Sequence, residues 1–93
     1  MEEKIRARVT IIGRVQGVFF RAETKKAATL YGITGWVKNN IDGTVEALFE
    51  GNKENVNQVL NWCRKGPPLS HVEKVIELRE DYAGEYRSFD IQY

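Results

Sequence analysis

The stretch Gly13-Arg-Val-Gln-Gly17-Val-Phe-Phe-Arg21 places two glycines four residues apart, then three bulky apolar residues and an arginine. Residues of these types could hold an anion. Glycines let successive backbone N–H groups turn inward as a nest. A helix that follows directs its positive N-terminal end at the same point. Arg21, in the first turn of such a helix, can offer a planar fork to two phosphate oxygens, which a lysine cannot. Val15, Gln16, Gly17, Val18, Phe19 and Phe20 would form the cradle itself. The stretch lacks the Gly-Lys-Ser/Thr ending of a P-loop, because Val18 follows Gly17, and the dinucleotide pattern Gly-x-Gly-x-x-Gly is absent. The same residues also describe an ordinary strand-to-helix turn carrying a surface arginine.

Asn39, in Gly35-Trp-Val-Lys-Asn-Asn40, is the second candidate. Alternation along a strand puts Trp36 and Lys38 on one side and Val37 and Asn39 on the other. Asn40, ahead of Ile41-Asp42-Gly43, reads as a turn residue. The remaining polar residues suggest less. His71 is the only histidine and reads as a solvated residue at a strand start, and Cys63 reads as a buried thiol on an apolar helix stripe. One His and one Cys make no zinc site, and the sequence suggests neither a metal nor a cofactor. The adjacent acids Glu80 and Asp81 read as exposed charges in a turn.

These residues need elements to position them. Residues 4–12 alternate Ile5, Ala7, Val9 and Ile11 against Arg6, Arg8 and Thr10, the period of a half-buried strand. Residues 21–31 read as a helix, with Phe20, Thr24, Ala27 and Tyr31 on one face, lysines opposite and Gly32 as a left-handed cap. Two strands joined through Asp42-Gly43 follow, the second with Val45, Ala47 and Phe49 on one face and Glu46 and Glu50 on the other. Asn52 can cap a second helix whose Val56, Val59, Leu60 and Cys63 recur at i, i+3, i+4, i+7, and Gly66-Pro-Pro68 ends it. His71–Glu80 and a short run bearing Phe89, Ile91 and Tyr93 complete the chain as strands. The order βαββαβ plus a terminal strand predicts an α+β fold of the split βαβ, ferredoxin-like type. It has an antiparallel sheet, two helices on one face and the first strand central.

With 93 residues the chain reads as a single domain, 1–93. Its 42% hydrophobic and 29% charged residues are those of an ordinary soluble globule. No apolar run approaches the ~20 residues of a membrane span. The N-terminus Met-Glu-Glu-Lys has no apolar signal core. A lone cysteine suits a reducing cytoplasm. The net charge of +1 argues against broad capture of nucleic acid. That charge is uneven, however. Residues 1–40 hold eight Lys/Arg against three Asp/Glu, and residues 41–93 hold six against ten, so the half with the glycine loop carries +5 and the other half −4.

Together, residues 13–21 and the segment Gly32-Ile-Thr-Gly-Trp-Val-Lys-Asn-Asn-Ile-Asp-Gly-Thr-Val-Glu-Ala-Leu-Phe-Glu-Gly51 resemble the two signature segments of the acylphosphatases. The resemblance runs through the whole chain, including Gly66-Pro-Pro and the aromatic end Phe89-Asp-Ile-Gln-Tyr93. It implies metal-free hydrolysis of carboxyl-phosphate anhydrides, with Arg21 and Asn39 at the catalytic positions and Val15 to Phe20 as the phosphate cradle. Such chemistry needs few groups. A carboxylate whose conjugate acid has a pKa of roughly 4 leaves without a proton at neutral pH. Phosphoryl transfer then asks mainly for positioning and charge stabilisation. Expected partners are an acyl phosphate as substrate and inorganic phosphate as product, with no nucleic acid or membrane, for a cytoplasmic monomer. Alternatives on the same fold are a carbamoyl-phosphate-handling domain, a non-catalytic small-anion sensor and an RNA-binding module. The last would need outward aromatics on the two central strands, which the first strand lacks and the third occupies with Glu46 and Glu50.

Overall fold

Alternation in the first strand divides the sheet into two faces. In β1 (Lys4–Arg14), Ile5, Ala7, Val9 and Ile11 are buried beneath the helices, while Arg6, Arg8 and Thr10 face away from them. The computed structural model describes residues 3–93; Met1 and Glu2, which open the charged N-terminus, lie outside the described residues. After β1 come α1 (Phe20–Leu30), β2 (Thr34–Asn39), β3 (Val45–Asn52), α2 (Lys53–Lys65), β4 (His71–Glu80) and β5 (Phe89–Gln92). The strands lie in the order β4-β1-β3-β2-β5, so β1 is internal, as the predicted topology requires.

One pairing departs from the expected antiparallel sheet. β1–β3, β1–β4 and β2–β3 are antiparallel, but β5 pairs parallel with β2, Val37 standing opposite Ile91. The reason is topological. β4 finishes at the end of the sheet where β2 begins, Glu80 opposite Arg6 and Thr34 opposite Glu50. Residues 81–88 therefore carry the chain to the far edge at that same end, where the Gly35 N–H donates to the Ser88 carbonyl at 3.0 Å. The sheet is mixed.

The helices are built as their stripes predict. Helix α1 runs one residue earlier than expected at both ends, and Ala28 rather than Ala27 joins Phe20 and Thr24 in the core, the three following one another at four-residue steps. It closes with the Ile33 N–H donating to the Ala28 carbonyl (2.8 Å) and Gly32, at φ +67°, donating to Thr29 (3.1 Å). Asn52 caps α2 by accepting from the Glu54 N–H at 2.9 Å, and Val56, Val59, Leu60 and Cys63 are buried. Burial pushes the Cys63 thiol up to about 12, so it stays protonated and inert. Helix α1 lies over β2 and β5, and α2 over β1, β3 and β4. Phe20 packs tilted on Trp62, and Phe49 stacks on Phe89.

The other face is not left to water. Glu50, expected to be an outward charge, is 1% exposed beneath residues 81–88. Its carboxylate accepts from the N–H groups of Ala83 (2.9 Å), Gly84 (3.1 Å) and Glu85 (3.2 Å), and Arg6 lies 3.5 Å away. Glu80 is likewise no idle turn residue. It ends β4 and accepts from Arg6 (2.9 Å) and Arg8 (2.8 Å), while Arg6 also pairs with Glu85. The hydrogen bond from Arg8, seconded by Arg6, holds the Glu80 carboxyl below its ordinary range. Trp36 is buried on this face under the Arg8 guanidinium and donates to the Tyr86 hydroxyl at 3.2 Å.

Candidate active site

The two glycines of the opening stretch do different jobs. Gly13 is still inside β1, at a register shift against β4, and a Cβ there would lie 2.1 Å from the His71 carbonyl oxygen. Its role is close strand approach, not anion binding. Gly17 stands in open space at φ +74°, a backbone conformation that glycine adopts without strain. Phe19 follows at φ +65°, an unusual value for a bulky residue, and is the N-cap of α1 without a capping side chain. Backbone strain of this kind concentrates at functional sites. Among the described residues, the N–H groups from Gln16 to Ala22 donate to no protein acceptor. The loop thus ends in a run of unsatisfied donors at a helix N-terminus.

These donors border a cavity of about 290 Å³ lined by Val15, Gly17, Phe19, Phe20, Arg21, Ala22, Asn39, Ile91 and Tyr93. Arg21 reaches it from the first turn of α1, and Asn39 from the last residue of β2. The crossing of α1 from the end of β1 to its seat over β2 and β5 brings the two together. Arg21 stacks on the Tyr93 ring, 5.0 Å from centroid, and among the described residues makes no ion pair, so its donors face the cavity unclaimed by a carboxylate. Asn39 carries the most telling atom. Its Oδ1 is buried and, among the described residues, has no hydrogen-bond partner. Such atoms are costly in a folded chain unless something outside the protein fills them.

Two predicted cradle residues place their side chains elsewhere. Val18 is buried in the core. The Gln16 amide turns back to the β2–β3 turn and donates to the carbonyls of Asn40 (2.8 Å) and Thr44 (2.9 Å). It ties the loop to the hairpin whose first strand ends in Asn39. Asn40 is the turn residue expected, bonded to Thr44 through backbone and side chain. His71 is exposed at the start of β4. Among the described residues, no three His, Cys, Asp or Glu side chains gather where they could hold a metal ion. Ala22, Ile91 and Tyr93 were not anticipated in the cavity. The alternation of Phe89, Ile91 and Tyr93 marks a common face, but only the β2–β5 pairing places that face beside Asn39.

A sequence model of the Acylphosphatase family matches residues 7–91. The chain belongs to the acylphosphatase family. It is 50% identical to an acylphosphatase of Syntrophobacter fumaroxidans over 98% of this chain and 94% of that one. It is 46% identical to an acylphosphatase of Pelotomaculum thermopropionicum over 97% and 98%. The crystal structure of acylphosphatase from Bacillus subtilis superposes with a TM-score of 0.92 at 32% identity, covering 96% of this chain and 99% of that one. Family membership over this length makes the chain a hydrolase of acyl phosphates. No described helix is long and apolar enough to cross a membrane.

Proposed function

We propose that this chain cleaves the carboxyl-phosphate bond of acyl phosphates by attack of water on phosphorus, without a metal, in the cavity shared by Arg21 and Asn39. The phosphate sits against the N–H groups of residues 15–20 and the N-terminus of α1, and the Arg21 fork neutralises charge on its equatorial oxygens. The Asn39 Oδ1 accepts a hydrogen bond from the attacking water and aims it in line with the leaving carboxylate. The orphaned Oδ1 beside an unclaimed arginine is the observation that carries the reading. Among the described residues, no Asp, Glu or His side chain lines the cavity. None is needed as an acid, since a carboxylate leaves unprotonated, and the water's proton passes to a phosphate oxygen of the substrate itself. We place the enzyme in the cytoplasm as a monomer, with a small acyl phosphate rather than nucleic acid or membrane as its partner. The test is hydrolysis of acetyl phosphate with and without EDTA. Turnover unchanged by chelation, with competitive inhibition by inorganic phosphate, is expected; strong loss with EDTA would sink the metal-free mechanism.

A further inference from the structure

Ala22 and Ile91 line both the cavity and a second, open groove of about 540 Å³ on α1, whose other lining residues are Lys25, Lys26, Thr29 and Leu30. The groove is predominantly apolar although Lys25 and Lys26 line it, as is usual where lysine stems cover apolar surface and the charged heads stay in water. Leu30 is 80% exposed there.

Three features align the groove with the reaction. It shares Ala22 and Ile91 with the catalytic cavity and does not include Asn39. An in-line displacement needs the leaving group on the side of phosphorus away from the water, so water at Asn39 sends the leaving carboxylate away from that residue. The helix supplies a track of the right length: Ala22, Lys25, Lys26 and Thr29 fall at i, i+3, i+4 and i+7, one stripe along about 10 Å of α1. That length accommodates a chain of about six to eight carbons laid along the helix.

We infer that this groove is the acyl subsite, and that it selects acyl phosphates with medium-length apolar chains over acetyl or carbamoyl phosphate. The inference rests on the reading of the cavity as an acyl phosphate site. No new bond chemistry is involved. The groove binds chain in ground and transition states alike, so it acts on KM and kcat/KM rather than on kcat.

The test is a series of acetyl, butyryl, hexanoyl and octanoyl phosphates, with phosphate as competitive inhibitor throughout. In the unmodified protein kcat/KM should rise by two- to about fourfold per added methylene, the value of apolar burial, so that hexanoyl phosphate exceeds acetyl phosphate at least tenfold. Leu30→Gln, on an exposed position outside the catalytic cavity, should reduce that ratio about threefold or more, leaving acetyl phosphate turnover and phosphate inhibition unchanged. Leu30→Met should restore it. A flat chain-length series, or an undiminished ratio in Leu30→Gln, overturns the subsite while leaving the hydrolase intact. Failure with every chain length, acetyl included, overturns the underlying reading as well.

Discussion

At the scale of single residues, the site is two side chains and a run of backbone donors, and each side chain carries its own prediction. Arg21 lies over the Tyr93 ring and offers several donors in one plane. A lysine keeps the charge and loses the fork, so Arg21→Lys is expected to lose about 100-fold or more in kcat/KM for acetyl phosphate. Turnover near that of the unmodified chain would remove Arg21 from the mechanism. Asn39→Ala should divide two properties usually lost together. Turnover falls about 100-fold because water loses its guide, while phosphate inhibition stays within about threefold. Stability should hold or rise by up to about 1 kcal/mol, since a buried acceptor without a partner has been deleted. A large drop in melting temperature would make Asn39 a structural residue. Both residues were singled out in the sequence, Arg21 by its place after a glycine loop and Asn39 by its place at a strand end. Their types alone equally describe a surface arginine and a turn residue, and only the resemblance of the two segments to a family set them apart. Tyr93 was not legible: its alternation shows its face, and nothing local shows what that face meets.

At the scale of elements, the proposed mechanism needs the loop and the hairpin to keep a fixed distance so that water and phosphate align. Among the described residues, Gln16 is the one side chain of the loop that bonds the hairpin, through two hydrogen bonds from one nitrogen. The carbonyls it binds keep backbone partners, Asn40 from Gly43 and Thr44 from Asn40. Losing Gln16 therefore costs alignment more than folding. Gln16→Ala should lower kcat several-fold with little change in phosphate inhibition. Gln16→Glu, which turns an acceptor toward two carbonyls, should be worse than alanine. If both variants match the unmodified kcat, the tie has no part in catalysis. The elements themselves were readable from period, caps and Asp42-Gly43, since these signals are local. The direction of β5 was not, because period reports a strand's faces and is silent about its neighbour. The role of Gly13, which precedes the cradle of residues 15–20, was hidden for a similar reason: its crowding comes from His71 in β4, far along the chain.

At the scale of the whole molecule, the proposed site and the fastening occupy opposite ends of the sheet. Loop, α1 N-terminus and Asn39 meet where β1 and β2 end; Glu50, Glu80 and Arg6 gather where β1 begins. The fastening end predicts the acid response. The Glu80 carboxyl is held below its ordinary value of 4.5 by the Arg8 hydrogen bond and then by Arg6. A depressed carboxylate stabilises the fold fully above its unfolded pKa, and that contribution disappears as pH falls through the lower folded one. Stability to urea should thus be steady from neutrality to about pH 5 and decline toward pH 3, and Glu80→Gln should shrink the difference between pH 7 and pH 3. An equal decline in the variant would assign it to other carboxylates. The sequence concealed this arrangement because Glu50 has the residue type of a solvated face, and the three N–H groups that bury it lie more than thirty residues away with no recognisable motif. Those three amides have a consequence for motion. Residues 83–85 belong to no helix or strand, yet their protons point into a carboxylate sealed from water. Hydrogen exchange there should be as slow as in the adjoining strands, and all three amides should open together when the segment lifts from the sheet. Exchange at free-loop rates would mean that the segment merely rests on Glu50. Slow, concerted exchange would make an irregular stretch of chain one cooperative unit with the sheet it crosses.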